Sequence, residues 1–234
     1  MMNQRIIRLS ALTVALFTLA ACSDDDDETV VEPPAPEMRT YEITVTNLTA
    51  AQPFSPVAVI ASDSVTLWQT GSAASDGLAM LAEGGDSSAL TAQDETLVAE
   101  AGTEPLMPGS SETFMLTMEA SDSALLSVVT MLVNTNDGFT GITGLDLSAL
   151  VTNDALTMLP HVYDAGTEDN TEAAGTIPGP ADGGEGVSEG REALDAVTFH
   201  GGVVSAEDGL TDSVLGSEHR FDNPAMKLII TRVE

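Results

Sequence analysis

The chain has 234 residues, 43% of them hydrophobic, and sets 37 acidic side chains against 7 basic ones for a formal net charge of −30. That apolar content can fill the core of a domain, while a surface so negative is a poor partner for nucleic acid or anionic lipid headgroups and a better one for divalent cations and basic surfaces. Dense carboxylates also keep a protein hydrated in a saline habitat, so the global charge assigns no site, and local clusters must be argued from their spacing.

In chain order, Arg5 and Arg8 precede an apolar run over residues 9–21 that is too short to span a membrane, which predicts a signal peptide over 1–21. Leu19-Ala20-Ala21-Cys22 resembles a bacterial lipobox, and Cys22 is the sole cysteine, so no internal disulfide can form. The resemblance implies a lipid on Cys22 and membrane attachment through it. Ser23 at the next position implies the outer membrane or cell surface of a Gram-negative bacterium. Residues 22–38 are acidic and then proline-rich, which predicts an extended tether leading to a folded domain over 39–234.

Residues 41–48 (YEITVTNL) alternate apolar and polar side chains and are rich in β-branched residues, the pattern of a half-buried strand. Further strands are predicted at 55–62, 65–69, 95–100, 112–120, 125–133, 155–163 and 225–233, separated by Gly, Pro, Asn, Asp and Ser. One short helix is predicted over 75–83, with Ser75 as cap and Gly84-Gly85 as stop. Short strands with this turn chemistry point to an all-β antiparallel sandwich. Two long loops, 164–192 and 205–223, are acidic.

Phe54-Ser55-Pro56, Leu67-Trp68, Gly71 with Ala74-Ser75 and Gly77, and Leu81-Ala82-Glu83 with Gly85-Asp86 follow one another in the order seen in the N-terminal spondin domain family, which the chain resembles. A second block agrees: the turn at residues 134–141, the Asp164-Ala165-Gly166-Thr167-Glu168 loop, and Thr176-Ile177-Pro178. The resemblance covers about residues 41–180. It implies an eight-stranded antiparallel β-sandwich like that of calcium-dependent membrane-binding domains, with a calcium ion at one end. Matched by motif, the metal ligands are Asp137, Asp164 and Glu168. Glu168 stands where the family has Asp, and its longer arm leaves Asp169 as an alternative ligand. The family's paired cysteines are missing from this chain.

The chemistry is compatible with that implication. Calcium takes six to eight oxygens, and loops at strand ends can supply carboxylates from separate segments. Close carboxylates such as Asp164, Glu168, Asp169 and Glu172 repel one another unless water, salt or a cation offsets the cost, so an acidic loop without an ion is the competing reading. His161, His200 and His219 have no zinc-ligand spacing, no GxSxG or phosphate loop occurs, and residues 182–186 read as a flexible loop. The expectation is a non-enzymatic, surface-anchored, calcium-binding adhesion or matrix module with a polysaccharide or protein ligand. Its alternatives are a hydrolase of an extracellular polymer using Asp137 and Asp164, and a structural envelope lipoprotein.

Overall fold

The computed structural model describes residues 35–120, 123–187 and 195–234. The predicted signal peptide, Cys22 and all but the end of the tether lie outside the described residues.

Strand β1 (Met38–Asn47) alternates as predicted: Tyr41, Ile43 and Val45 point inward and are buried, while Glu42 is exposed. It is central in a four-stranded sheet, paired on one side with β4 (Ser111–Glu119) and on the other with β10 (Met226–Arg232), which in turn pairs with β7 (Ala155–Met158). A six-stranded sheet packs against it in the order β3 (Thr96–Ala101), β2 (Ala58–Ser62), β5 (Leu125–Met131), β6 (Gly138–Asp146), β8 (Val162–Asp164), β9 (Thr198–Phe199). Every pairing is antiparallel. Ile43, Leu116, Leu228 and Ile230 from one sheet meet Val59, Leu126, Val128 and Val162 from the other in a single core.

Strands β2 and β5 carry apolar side chains on both faces because both faces are covered. Val59 and Ala61 face the other sheet, while Ala58, Ile60 and Val129 belong to a second cluster beneath helix α1 (Asp76–Gly84). Ser75 caps that helix, its side chain accepting a hydrogen bond from the Leu78 amide at 3.2 Å. Leu78, Leu81 and Ala82 lie on its buried face, and Gly85 ends it. A single turn, α2 (Ser88–Thr91), follows.

The antiparallel sandwich matches the sequence reading, but its strands differ from the predicted ones in several places. Residues 65–69 are not a strand. The Ser62 hydroxyl accepts from the Val65 amide at 3.2 Å and Thr143 Oγ1 from the Leu67 amide at 2.6 Å, so side chains take donors that a neighbouring strand would have used. Residues 155–163 form two strands, since Pro160 interrupts the ladder and the chain passes from β7 in one sheet to β8 in the other. The sequence pattern does not predict strand β6, because Gly138, Gly141 and Gly144 blank out its periodicity. Gly141 has φ +152°, and a Cβ built there would sit 1.8 Å from the Val128 carbonyl oxygen, so close backbone approach requires glycine. With β6, the divided strand and the short β9, the described residues contain ten strands rather than eight.

Candidate metal centre

The turn joining β5 to β6 is buried, which is unusual for a loop: Asn134, Thr135, Asn136 and Asp137 are all at most 1% exposed. Side chains replace the water it lacks. Thr135 Oγ1 donates to the Leu132 carbonyl at 2.7 Å and accepts from the Gly138 amide at 2.9 Å. Gln52 brackets Asn134, its Oε1 accepting from the Asn134 amide at 3.1 Å and its Nε2 donating to the Asn134 carbonyl at 3.0 Å. Asn134 and Asn136 then tie the turn to the acidic loop, Asn134 Oδ1 accepting from the Ala181 amide and Asn136 Nδ2 donating to Thr176 Oγ1.

Asp137 ends this turn with its carboxylate inside the protein. Oδ2 accepts from the Thr167 amide at 2.8 Å and the Glu168 amide at 3.1 Å. Oδ1 is buried and has no hydrogen-bond partner. Loss of water, reinforced by the neighbouring Asp164 charge, pushes the carboxyl up to about 6, against the opposing pull of the two amides.

Strand pairing brings Asp164 to this place, since on β8 it stands directly opposite Gly138 on β6, the residue after Asp137. Its Oδ1 accepts from the Gly166 amide at 2.8 Å and its Oδ2 from Asn170 Nδ2. Gly166 makes the tight return: it has φ +70°, and a Cβ there would lie 2.4 Å from the Ala196 carbonyl oxygen.

Glu168 joins the arrangement through its main chain. Its amide is on Asp137, while its buried side chain is directed to Asn136, whose Nδ2 lies 3.5 Å from Oε2. Asp169 is exposed. Of the three residues matched by motif, the fold therefore brings the Asp137 and Asp164 carboxylates together and turns that of Glu168 toward an amide. Among the described residues, no group of three or more His, Cys, Asp or Glu is arranged to hold a metal ion. A calcium ion fits Asp137 and Asp164, because a buried carboxylate oxygen without a donor and a like charge beside it are both relieved by a cation. It fits Glu168 only in a different side-chain conformation.

Two further buried groups stand at this end. Glu172 is 2% exposed with φ +46°; its Oε1 accepts from the Val204 amide at 3.1 Å, and its Oε2 has no hydrogen-bond partner. Burial raises its carboxyl, with the Val204 amide opposing. The Glu172 main chain also fastens the loops, its amide donating to Asn136 Oδ1 and its carbonyl accepting from the Val214 amide. His200 is 5% exposed, with Nδ1 accepting from the Gly202 amide and Nε2 lacking a hydrogen-bond partner. Burial lowers its pKa, and the Asp164 charge opposes that shift. Neither residue has a sequence spacing that marks it, because each gains its role from loops far apart in the chain. Asp182, expected in a flexible loop, instead accepts from the Gly175 amide at 2.6 Å and pins the chain locally.

The family model described as Spondin_N matches residues 47–176, more than half of the chain, from the end of β1 through β2 to β8, and includes Asp137, Asp164 and Glu168. No curated protein matches the chain. Sandwich, motif order and family match agree: the chain belongs to the spondin N-terminal domain family, a non-enzymatic domain type of extracellular, adhesion-type modules.

Proposed function

We propose that this chain is a calcium-binding adhesion module, held at the outer membrane or cell surface by a lipid on Cys22 and engaging an extracellular polysaccharide or protein. The observation that carries the metal reading is Asp137: a fully buried carboxylate, beside a second one, with an oxygen that no protein donor reaches. Asp137 and Asp164 would hold the ion, with Glu168 or Asp169 adding a ligand. The ion would supply positive charge where the loops gather negative charge, and would tie the β5–β6 turn to the loop after β8. The chain's own residues already hold the first ligand in place through the Thr167 and Glu168 amides.

The hydrolase alternative draws on the same carboxylate pair, one member of which has a raised pKa. A general acid must reach the bond it protonates, and Asp137 is 0% exposed beneath two backbone amides. Burial therefore favours ion binding over polymer hydrolysis.

Calorimetric titration with calcium tests the reading. At a hundredfold excess over Kd the ion should add about 2.7 kcal/mol of stability, and sodium at matched ionic strength should add less. Asp137→Asn and Asp164→Asn should each remove most of the calcium heat, and the double variant should lose little more than either alone. Glu104→Gln, an exposed acid elsewhere, should leave it unchanged. Equal stabilisation by sodium would reduce the effect to screening and end the calcium reading. For the anchor, Cys22→Ala should release the protein from membranes and abolish lipid labelling; persistence of both would refute it.

A further inference from the structure

On the outer face of the six-stranded sheet, three aromatic residues form one cross-strand row. Phe139 on β6 stands opposite Tyr163 on β8, and Tyr163 opposite Phe199 on β9. Their rings stack, with centroids 5.4 and 5.3 Å apart and planes inclined by 24° and 26°. Trp68 packs edge-on against Phe139 at 5.1 Å and Tyr163 at 5.5 Å, and His161 meets Phe199 at 5.3 Å. In a chain with only 6 Phe, 2 Tyr and 1 Trp, this is a marked concentration.

Burial falls along the row. Phe139 is 0% exposed, whereas Phe199, on the outermost strand of the sheet, is 59% exposed. A cavity of about 310 Å³ opens at the middle of the row, lined by Tyr163 with Trp68, His161, Pro160 and Leu159 among others, with Leu159 itself 56% exposed. Phe199 and Leu159 together leave apolar surface exposed at this end of the row.

We propose that the row binds an arginine-bearing segment of a partner protein, with a guanidinium plane laid on Phe199 as the next member of the stack. The group that continues such a stack must be flat, and guanidinium is flat, permanently charged and weakly hydrated. Aromatic faces carry negative quadrupole density that attracts it. Charge complementarity points the same way, given the formal net charge of −30. Asp195 is exposed just before β9, and no described lysine or arginine lines the cavity. A neutral sugar ring can also lie on an aromatic face, but it would use none of this charge. The inference rests on the adhesion reading for a macromolecular partner and does not depend on calcium.

The test compares three probes at one ionic strength: an oligo-arginine peptide, an oligo-lysine peptide of equal length, and a neutral cello-oligosaccharide. Calorimetry gives affinity, and the single Trp68 gives a fluorescence signal from within the cluster. Oligo-arginine should bind more tightly than oligo-lysine. Phe199→Ala should weaken arginine binding about two- to fivefold while barely changing lysine binding, and Phe199→Trp should restore it. Equal binding of both peptides with no effect of Phe199→Ala would mean charge alone and overturn the proposal. Absence of peptide binding would overturn it, as would a preference for the oligosaccharide that Phe199→Ala removes. Melting with and without calcium is recorded on the same samples. Loss of the calcium gain in wild type would refute the metal reading and leave the peptide result standing, so the two failures are distinguishable.

Discussion

Between the sheets, Ile43, Leu116, Leu126 and Leu228 are buried with nothing to satisfy beyond their own packing. At the loop end, Asn136, Asp137, Glu168, Glu172 and His200 are almost as dry, yet all are polar or ionisable. The first region gains stability from burial, at about 25 cal/mol per Å² of apolar surface removed from water. The second loses hydration that its hydrogen bonds replace only in part, since Asp137 Oδ1, Glu172 Oε2 and His200 Nε2 have no hydrogen-bond partner. A sandwich core thus supports an end that is costly to assemble.

The two regions should respond differently to mutation and to calcium. The largest effect is expected at Gly141→Ala, where the new Cβ would strike the Val128 carbonyl and the backbone conformation is unfavourable for a side chain. A loss of about 4 kcal/mol or more, or failure to fold, is expected in chemical denaturation. Ile43→Ala, a cavity in the middle of β1, should cost about 2 to 5 kcal/mol. The calcium-induced gain should survive Ile43→Ala unchanged, because the proposed ion would act at the other region. A gain that shrank along with core stability would break the distinction.

The next effect is a pH dependence of the metal-free protein. The Asp137 carboxyl lies at about 6 in the folded state against an ordinary value of 3.8. A raised folded pKa contributes stability in full below the unfolded value, and that contribution is lost as pH rises through about 6. Over that window the loss from this group should be on the order of 3 kcal/mol, since each unit corresponds to about 1.4 kcal/mol. Wild type in chelator should therefore lose stability relative to Asp137→Asn between about pH 4 and 6. Calcium should reverse the slope, because an ion favours the charged carboxylate. Parallel profiles for wild type and Asp137→Asn in chelator would show that Asp137 does not carry this cost.

The same contrast explains what could be read from the chain alone. Alternation in β1, β4 and β10 is a local signal, and so are the Ser75 cap and Gly85 stop of α1, so these elements follow from the sequence. Strand β6 is invisible to periodicity because its glycines serve the backbone and bury no side chain. Residues 65–69 have a strand composition, but the hydroxyls of Ser62 and Thr143 outbid a partner strand for their amides. At the loop end, motif resemblance points to Asp137 and Asp164 as ligands, and β6–β8 pairing accounts for their proximity. The direction of the Glu168 side chain toward Asn136 and the placement of Glu172 depend on contacts across 32 or more positions, which no local pattern encodes.

The smallest expected effect isolates local structure from both regions. Ser75 accepts the Leu78 amide at the start of α1, and its replacement by Ala removes that bond while leaving the helix's buried face intact. Loss of such a cap costs about 1 kcal/mol. Because Leu78, Leu81 and Ala82 still cover Ile60, Val129 and Phe139, the cooperative melting of the sandwich should persist at a slightly lower temperature. Ser75→Thr keeps an acceptor at the cap and should recover most of the loss. The calcium gain should be the same in all three proteins, since the helix lies on the outer face of the six-stranded sheet and supplies none of the carboxylates at the loop end. A Ser75→Ala variant that lost its calcium response with only this modest destabilisation would show that the helix face and the loop end are coupled, and the separation between core support and ion site would have to be withdrawn.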